Sequence, residues 1–288
     1  MNQQLGTVFT GIITDENEQF FIVQKAGKNY RLNKSEGEFA LGEGVEGFAY
    51  ADSKGKLRFT TSLPKSRVGH YAFGVVTGVR RDLGVFVDIG LPDKEIVVSL
   101  DNLPEMKELW PKENDRLNIA LSVDSKDRIW GELAPESNFR AVAKKATEKM
   151  QNQDVVATVF RLKIVGTYVL TEDYYLGFIH PSERFREPRL GEVVNARVVG
   201  VRPDGVLNLS LKPRSHEVIG DDAMMILTFL ERSNDGSIPY TDKTSPEVIK
   251  SVFGISKAQF KRALGNLMKQ GKIRQQDGFT YLIKEEKD

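Results

Sequence analysis

The chain has no cysteine, so disulfide bonds and thiolate-ligated zinc are both excluded. Its three histidines, His70, His180 and His216, are scattered and lack the paired spacing of a metal site. No apolar run reaches the roughly 18 residues that a membrane-spanning helix needs, and the opening residues, M-N-Q-Q-L-G, lack a signal-peptide core. A reduced, cytoplasmic protein with no membrane partner is expected. Excess charge is missing as well. The 41 Lys and Arg against 40 Asp and Glu leave +1, so no global field points at nucleic acid or at a membrane, although a neutral total can hide local patches. Nor is there a G-x-x-x-x-G-K-[ST] phosphate loop or a G-x-S-x-G nucleophile elbow. Asp221 and Asp222 read as helix caps and not as metal ligands. These absences weigh against an enzyme: no catalytic residue, metal or cofactor is expected.

What the chain does have is repetition. Its 288 residues exceed one ordinary domain and suit two to four small ones. Three successive stretches each hold five short runs of strand-forming residues. In the first these are 7–13, 19–24, 29–32, 44–50 and 56–61; in the second, 73–79, 84–89, 95–99, 115–123 and 128–133; the third covers 154–213. The fifth run of each follows a turn sequence: D-S-K-G from Asp52, D-S-K-D from Asp124 and R-P-D-G from Arg202. Five strands in roughly 60 residues is the size of an OB-type barrel. Residues 135–150 are rich in helix formers behind Pro135 and read as a linker helix. Beyond Pro213 the period becomes helical. A helix over 221–232 and an extended piece at 236–240 precede a helix capped by Ser245 with Pro246 behind it. A further helix runs from Ser256 to Gln270 with Phe260, Leu264, Leu267 and Met268 as its core stripe, and a hairpin over 272–283 turns at Asp277-Gly278. That order is the order of a winged helix.

The third barrel carries the candidate binding surface. Alternate strand residues share a face, so if Thr167 and Val169 point inward, Tyr168 points out. On the next strand Ile179 is inward while Phe178 and His180 share the outer face. Rings on adjacent strands form a surface on which bases stack, at about 1–3 kcal/mol per base. Arg161, Lys163, Arg184, Arg186, Arg189, Arg197 and Arg202 lie nearby in sequence and can follow phosphates. Charge separates the three units: 67–134 has nine basic and twelve acidic residues, 1–66 has eight of each, and 151–213 has eight basic and seven acidic. The third ranks first for an anionic ligand, and the second reads as scaffolding or a protein contact. In the C-terminal domain, 257–274 holds six basic residues and no acid. Lys257, Lys261, Arg262 and Lys269 fall on the side of their helix away from the core stripe, the side that a winged helix can set into a DNA major groove.

The runs G-T-Y-V from Gly166, G-F-I-H-P-S-E from Gly177 and L-N-L-S-L-K from Leu207 resemble the S1 RNA-binding domain, an OB fold. That resemblance implies that Tyr168, Phe178 and His180 contact RNA; the family's first aromatic is Val165 here. In the second unit, L-G-V-F-V-D-I from Leu83 places Phe86 at the matched aromatic, and E-I-V-V-S-L-D from Glu95 puts Val98 where His180 stands. The first unit, which keeps Q-F-F-I-V from Gln19, is the most degenerate. The whole order resembles the conserved virulence factor B family of Firmicutes bacteria, which implies an RNA-binding protein that affects virulence gene expression.

The expected fold is mainly β: S1/OB-type five-stranded barrels at 1–66, 67–134 and 151–213, the linker helix at 135–150, and an α+β winged helix at 214–288. Single-stranded RNA is expected to lie across the third barrel on Tyr168, Phe178 and His180, with Arg184, Arg197 and Phe86 as further contacts. Lys257, Lys261, Arg262 and Lys269 extend the basic track. Two alternatives stand beside this reading: a transcription factor that takes duplex DNA on the winged helix, and a protein-interaction scaffold on the ribosome or polymerase. The sequence leaves the oligomeric state open.

Overall fold

A computed structural model describes residues 2–213 and 215–283. The chain divides into two compact units, Met1–Lys212 and Pro213–Asp288. The first unit contains three closed five-stranded barrels. They are built from β1 (Val8–Glu16), β2 (Phe20–Lys25), β3 (Lys28–Asn33), β4 (Gly44–Ala51) and β5 (Leu57–Thr60); from β6 (Ala72–Arg80), β7 (Gly84–Asp88), β8 (Ile96–Ser99), β9 (Arg116–Val123) and β10 (Ile129–Leu133); and, after α1 (Glu136–Val142), from β11 (Asp154–Lys163), β12 (Gly166–Thr171), β13 (Leu176–Ile179), β14 (Val193–Val201) and β15 (Leu207–Ser210).

All three share one topology, in which the third strand closes the barrel by pairing parallel to the fifth. Each first strand also slips register at the same place: between Ile13 and Asp15, Val76 and Gly78, and Val159 and Arg161. A bulge there bends one strand enough to serve both sides of a small barrel. Alternation does the rest. In the third barrel Val159, Val169, Ile179, Val198, Leu207 and Leu209 fill the interior, and the residues between them face out.

The barrels are interlocked. Tyr50 Oη donates to Asp93 Oδ1 (2.6 Å) and the Lys94 ammonium bonds the Ala51 carbonyl, tying the first barrel to the second. Between the second and third, the Arg116 amide donates to the Gly191 carbonyl (2.8 Å) and the Leu190 amide to that of Leu109 (3.0 Å). Arg189 grips Asp115 through Nε and Nη2, at 3.1 and 3.0 Å, and its Nη1 lies 3.3 Å from Glu192. Both carboxylates are almost fully covered.

The helix expected over 135–150 is confined to Glu136–Val142. Past it the Lys144 amide donates to the Tyr174 carbonyl (2.8 Å) and the Ala146 amide to that of Gly205 (3.0 Å), before a 3-10 turn at Glu148–Met150. Hydrogen bonds to the barrel replace those of a helix, and tertiary pairing overrides propensity. The segment is a strap along the third barrel, with Ala146 and Met150 packed on its core. Phe139 on α1 is buried, stacked on Phe160 of the third barrel (3.9 Å, 14°) and 6.5 Å from Phe73 of the second.

The second unit is a winged helix of α2 (Ser215–Arg232), β16 (Ser237–Ile238), α3 (Pro246–Phe253), α4 (Lys257–Lys269), β17 (Ile273–Gln276) and β18 (Phe279–Leu282), with sheet order β16-β18-β17. Ser245 caps α3, and a Ser256–Gln259 capping box opens α4. Two expectations are corrected. Met268 is exposed, and Ala263 completes the buried stripe of Phe260, Leu264 and Leu267, because 260, 263, 264 and 267 already satisfy the helical period. The helix read as starting at Asp221 begins at Ser215, so Asp221 and Asp222 lie inside it and do not cap it.

Removing Arg189 leaves the buried Asp115 carboxylate with the Lys112 amide but without its cation, so Arg189→Ala should lower stability by about 3 kcal/mol, read as a fall in urea midpoint. Glu192 supplies a pH dependence. Burial alone would raise its carboxyl, but hydrogen bonds from Arg186 and the Arg189 amide outweigh this and hold it below the usual carboxylate range. Its stabilising contribution is therefore complete above the unfolded value of about 4.3 and lost as pH falls through the lower folded value. The parent's urea midpoint should drop below about pH 4, and Glu192→Gln should flatten that drop.

Candidate nucleic-acid interface

On the outer face of the third barrel, strand pairing sets Tyr168 opposite Phe178 and Phe178 opposite Asn208. The Tyr168 and Phe178 rings meet edge to face at 5.2 Å, and His180 continues the row 6.5 Å beyond Phe178. Phe160 extends it at the other end, 6.4 Å from Tyr168. His180 is exposed and caps the 3-10 turn Pro181–Glu183, its Nδ1 accepting from the Ser182 amide at 3.2 Å. An accepting Nδ1 leaves the proton of the neutral ring on Nε2. Tyr168 is half-buried, with the Lys163 ammonium 4.8 Å from its ring centre and itself paired to Glu136 (2.8 Å). The hydrogen bond from Lys163, then that from Arg140, holds the Glu136 carboxyl below its usual range.

Phe178 departs from the open ring expected of it. It is 8 % exposed. The Arg202 guanidinium lies 4.4 Å over its centre, tied back by Nε donating to Asn208 Oδ1 at 2.9 Å. Beneath it, Gly166 has φ +148°, and a Cβ there would come within 2.6 Å of the ring. Arg184 is also corrected as a phosphate contact: its side chain is 7 % exposed, donates to the Ile179 carbonyl and pairs with Glu187. Arg186 and Arg189 are likewise taken up by Glu192 and Asp115. Arg197 is half-buried on β14 beside Ser210, two strands from β13. Sequence reasoning missed Phe185, 80 % exposed just past the His180 turn with the Lys212 ammonium 5.5 Å from its ring.

Because the barrels pair alike, their faces can be compared position by position. The row Tyr168–Phe178–Asn208 corresponds to Phe86–Val97–Trp130 in the second barrel and Ile22–Arg31–Arg58 in the first. Ser99 stands where His180 stands, correcting the expectation of Val98: Ser99 caps its own 3-10 turn, while Val98 is a fully buried inward residue. Phe86 is half-buried on the outer row and lines a cleft with Asp88, Asp93, Lys94 and Glu95. The residue closing the last hairpin differs in sign. Asp52 accepts from the amides of Lys54 and Lys56 and from Arg58, and Asp124 accepts from the amides of Lys126 and Arg128, the Arg128 guanidinium and the Trp130 indole. The Arg128 amide and its companion bonds hold the Asp124 carboxyl far below its usual range. In the third barrel the same position is Arg202, and Asp204 takes over the turn by accepting from the Val206 amide (3.2 Å). The three aligned turn sequences carried this signal.

In the winged helix Lys261, Arg262 and Lys269 are exposed and Lys257 is half-buried. Asp222 lies on α2 against α4; burial, and then Asp221, push its carboxyl up, while Arg262 and a bond from Gln259 oppose this. Among the described residues no helix is long and apolar enough to cross a membrane.

Three S1-like OB barrels followed by a winged helix define the class of the protein. Family models agree: "S1 domain" matches residues 5–62, "CvfB first S1-like domain" 71–132, "Virulence regulatory factor CvfB, second domain" 139–213, and "CvfB-like winged helix domain" 224–282. The chain is 37 % identical over 281 residues to Conserved virulence factor B of Staphylococcus epidermidis, spanning 96 % of this chain and 93 % of that protein. It is 42 % identical over 237 residues to the uncharacterized protein YitL of Bacillus subtilis, spanning 82 % and 79 %. A crystal structure of a multidomain protein with nucleic acid binding domains from Streptococcus pneumoniae is 57 % identical, with a TM-score of 0.73 over 98 % of this chain and 99 % of that one. The chain belongs to the conserved virulence factor B family.

The burial of Phe178 makes it a packing residue first. Phe178→Ala should destabilise by about 3 kcal/mol in a urea titration, and so is a poor probe of binding.

Proposed function

We propose that this chain is a non-catalytic, cytoplasmic regulator of gene expression, with a role in virulence, that binds single-stranded RNA across its third barrel. One observation carries the reading: only in the third barrel does the outer row combine adjacent aromatic rings with a cation at the hairpin position where the other barrels hold an acid. Bases stack on Tyr168, and His180 offers its Nε2–H at the edge of the row. Phe178 supports Tyr168 from the side and carries the Arg202 guanidinium, whose Nη groups take phosphate. A guanidinium stacked on a ring keeps its charge while little freedom remains to lose on binding. The acidic surroundings of Phe86 disfavour the same ligand on the second barrel. Lys257, Lys261, Arg262 and Lys269 add a second basic surface. The family's regulatory name, and the nucleic acid binding domains named for the Streptococcus pneumoniae relative, support the same class.

Tyr168→Ala with His180→Ala should weaken binding of a single-stranded RNA more than about tenfold in a filter-binding titration while the chain stays folded, its urea midpoint lowered only by the lost His180 cap and the packing of the Tyr168 ring. Arg202→Gln should lower the slope of affinity against salt by about one. Arg202→Asp should weaken binding further and still fold, because aspartate already closes this hairpin in both other barrels. A duplex DNA that outcompetes the RNA would favour a winged-helix transcription factor instead.

A further inference from the structure

We infer that the cleft between the first and second barrels docks a basic protein segment, an extended peptide carrying lysine or arginine beside leucine-like side chains. This surface is separate from the third barrel and takes a different ligand. Two hollows meet on it. One, of about 520 Å³, holds Phe86 with Asp88 and Asp93. The other, of about 640 Å³, holds Val97 and Trp130 of the second barrel on one side and Leu57 of the first on the other. Lys94 and Glu95 line both, so the two hollows join there. Both volumes are within the usual range for a ligand site. The second hollow exists only because the barrels are joined: the Lys94 ammonium on the Ala51 carbonyl and Tyr50 on Asp93 hold the first barrel's last hairpin against the loop before β8.

The walls set the chemistry of the occupant. Phe86, Val97 and Trp130 are half-buried and sit on three neighbouring strands. The row therefore spans two strand spacings, about 10 Å, which about three extended residues cover. The carboxylates along it are unspent. Glu95 is exposed and has no partner among the described residues, and Asp88 accepts from the Gly90 amide at 2.7 Å without a cation. The nearby cations are committed: Lys94 to the Ala51 carbonyl, and Arg128 to Asp124 at 2.7 Å while lying 5.4 Å from the Trp130 ring centre. Lys126, exposed on the last hairpin, is the exception. Residues 67–134 as a whole hold twelve acids against nine bases, a balance that repels phosphate and attracts a cation. A bare polyamine would satisfy the carboxylates but leave the apolar walls in water, whereas a basic segment with apolar side chains matches both. A closed barrel offers no strand edge, so the segment is gripped by its side chains and not by added β pairing.

The test titrates the full chain by fluorescence anisotropy with a labelled peptide of about ten residues alternating lysine and leucine, and with a lysine–glycine peptide of equal charge. The lysine–leucine peptide should bind more than about tenfold tighter, the gain expected from burying one leucine side chain. Asp88→Lys with Glu95→Lys should weaken it more than about tenfold. Glu105→Lys with Glu108→Lys, exposed acids of the same barrel outside the cleft, changes the net charge equally and should leave affinity within about twofold. A further readout needs no variant. The chain has two tryptophans, and the Trp130 indole N–H resonance should move on adding the peptide while that of the buried Trp110 stays in place. Equal weakening by the two double substitutions, or equal affinity for the two peptides, overturns the proposal, because either shows general charge attraction. A Trp130 resonance that moves with oligouridylate and not with the peptide gives the face to nucleic acid and overturns it as well. The Tyr168→Ala, His180→Ala chain should bind the peptide as the parent does, so failure of the third-barrel reading leaves this one standing.

Discussion

The parallel pairing of β13 with β15 is the contact on which the candidate site depends. It joins segments about thirty residues apart and sets Asn208 beside Phe178. Asn208 then holds Nε of Arg202, and the hairpin that follows from this pairing delivers the guanidinium onto the Phe178 ring. Without closure, Tyr168 and Phe178 would still be hairpin neighbours, but the row would end at an open edge and the cation would have no seat. Closure also removes the unpaired strand edges that a five-stranded sheet would otherwise expose.

One scaffold thus carries three different faces. The interior demands the same alternation each time, and the three cores are built on the same pairing pattern. The outer row is free of that demand. In the first barrel it became Ile22, Arg31 and Arg58, with Phe20 filling the place of Gly166 under the two arginines at 5.9 and 5.1 Å. In the second it became Phe86, Val97 and Trp130 among acids. Interlocking of the barrels adds a further constraint, since cations such as Arg189 are spent on the junction and are lost to any ligand.

Much of the architecture was legible because strand alternation, turn sequences and helix caps are local. Asp277-Gly278, Ser245-Pro246 and Ser256 each marked an element that formed there. The strap after α1 was not legible: Lys144 and Ala146 have helical neighbours in sequence but hydrogen-bond partners at Tyr174 and Gly205, and only the assembled barrel supplies those.

The sequence by itself determined the repeat, the order of barrels and winged helix, and the family, because each rests on short-range periodicity or on motif order. Only the tertiary structure decided which charged and aromatic groups remain available. Arg184 and Arg202 look alike in the chain, eighteen positions apart. One is buried against Glu187 and the Ile179 carbonyl, and the other sits over the Phe178 ring. Availability depends on which partners packing brings within hydrogen-bonding distance, and those partners are distant in sequence.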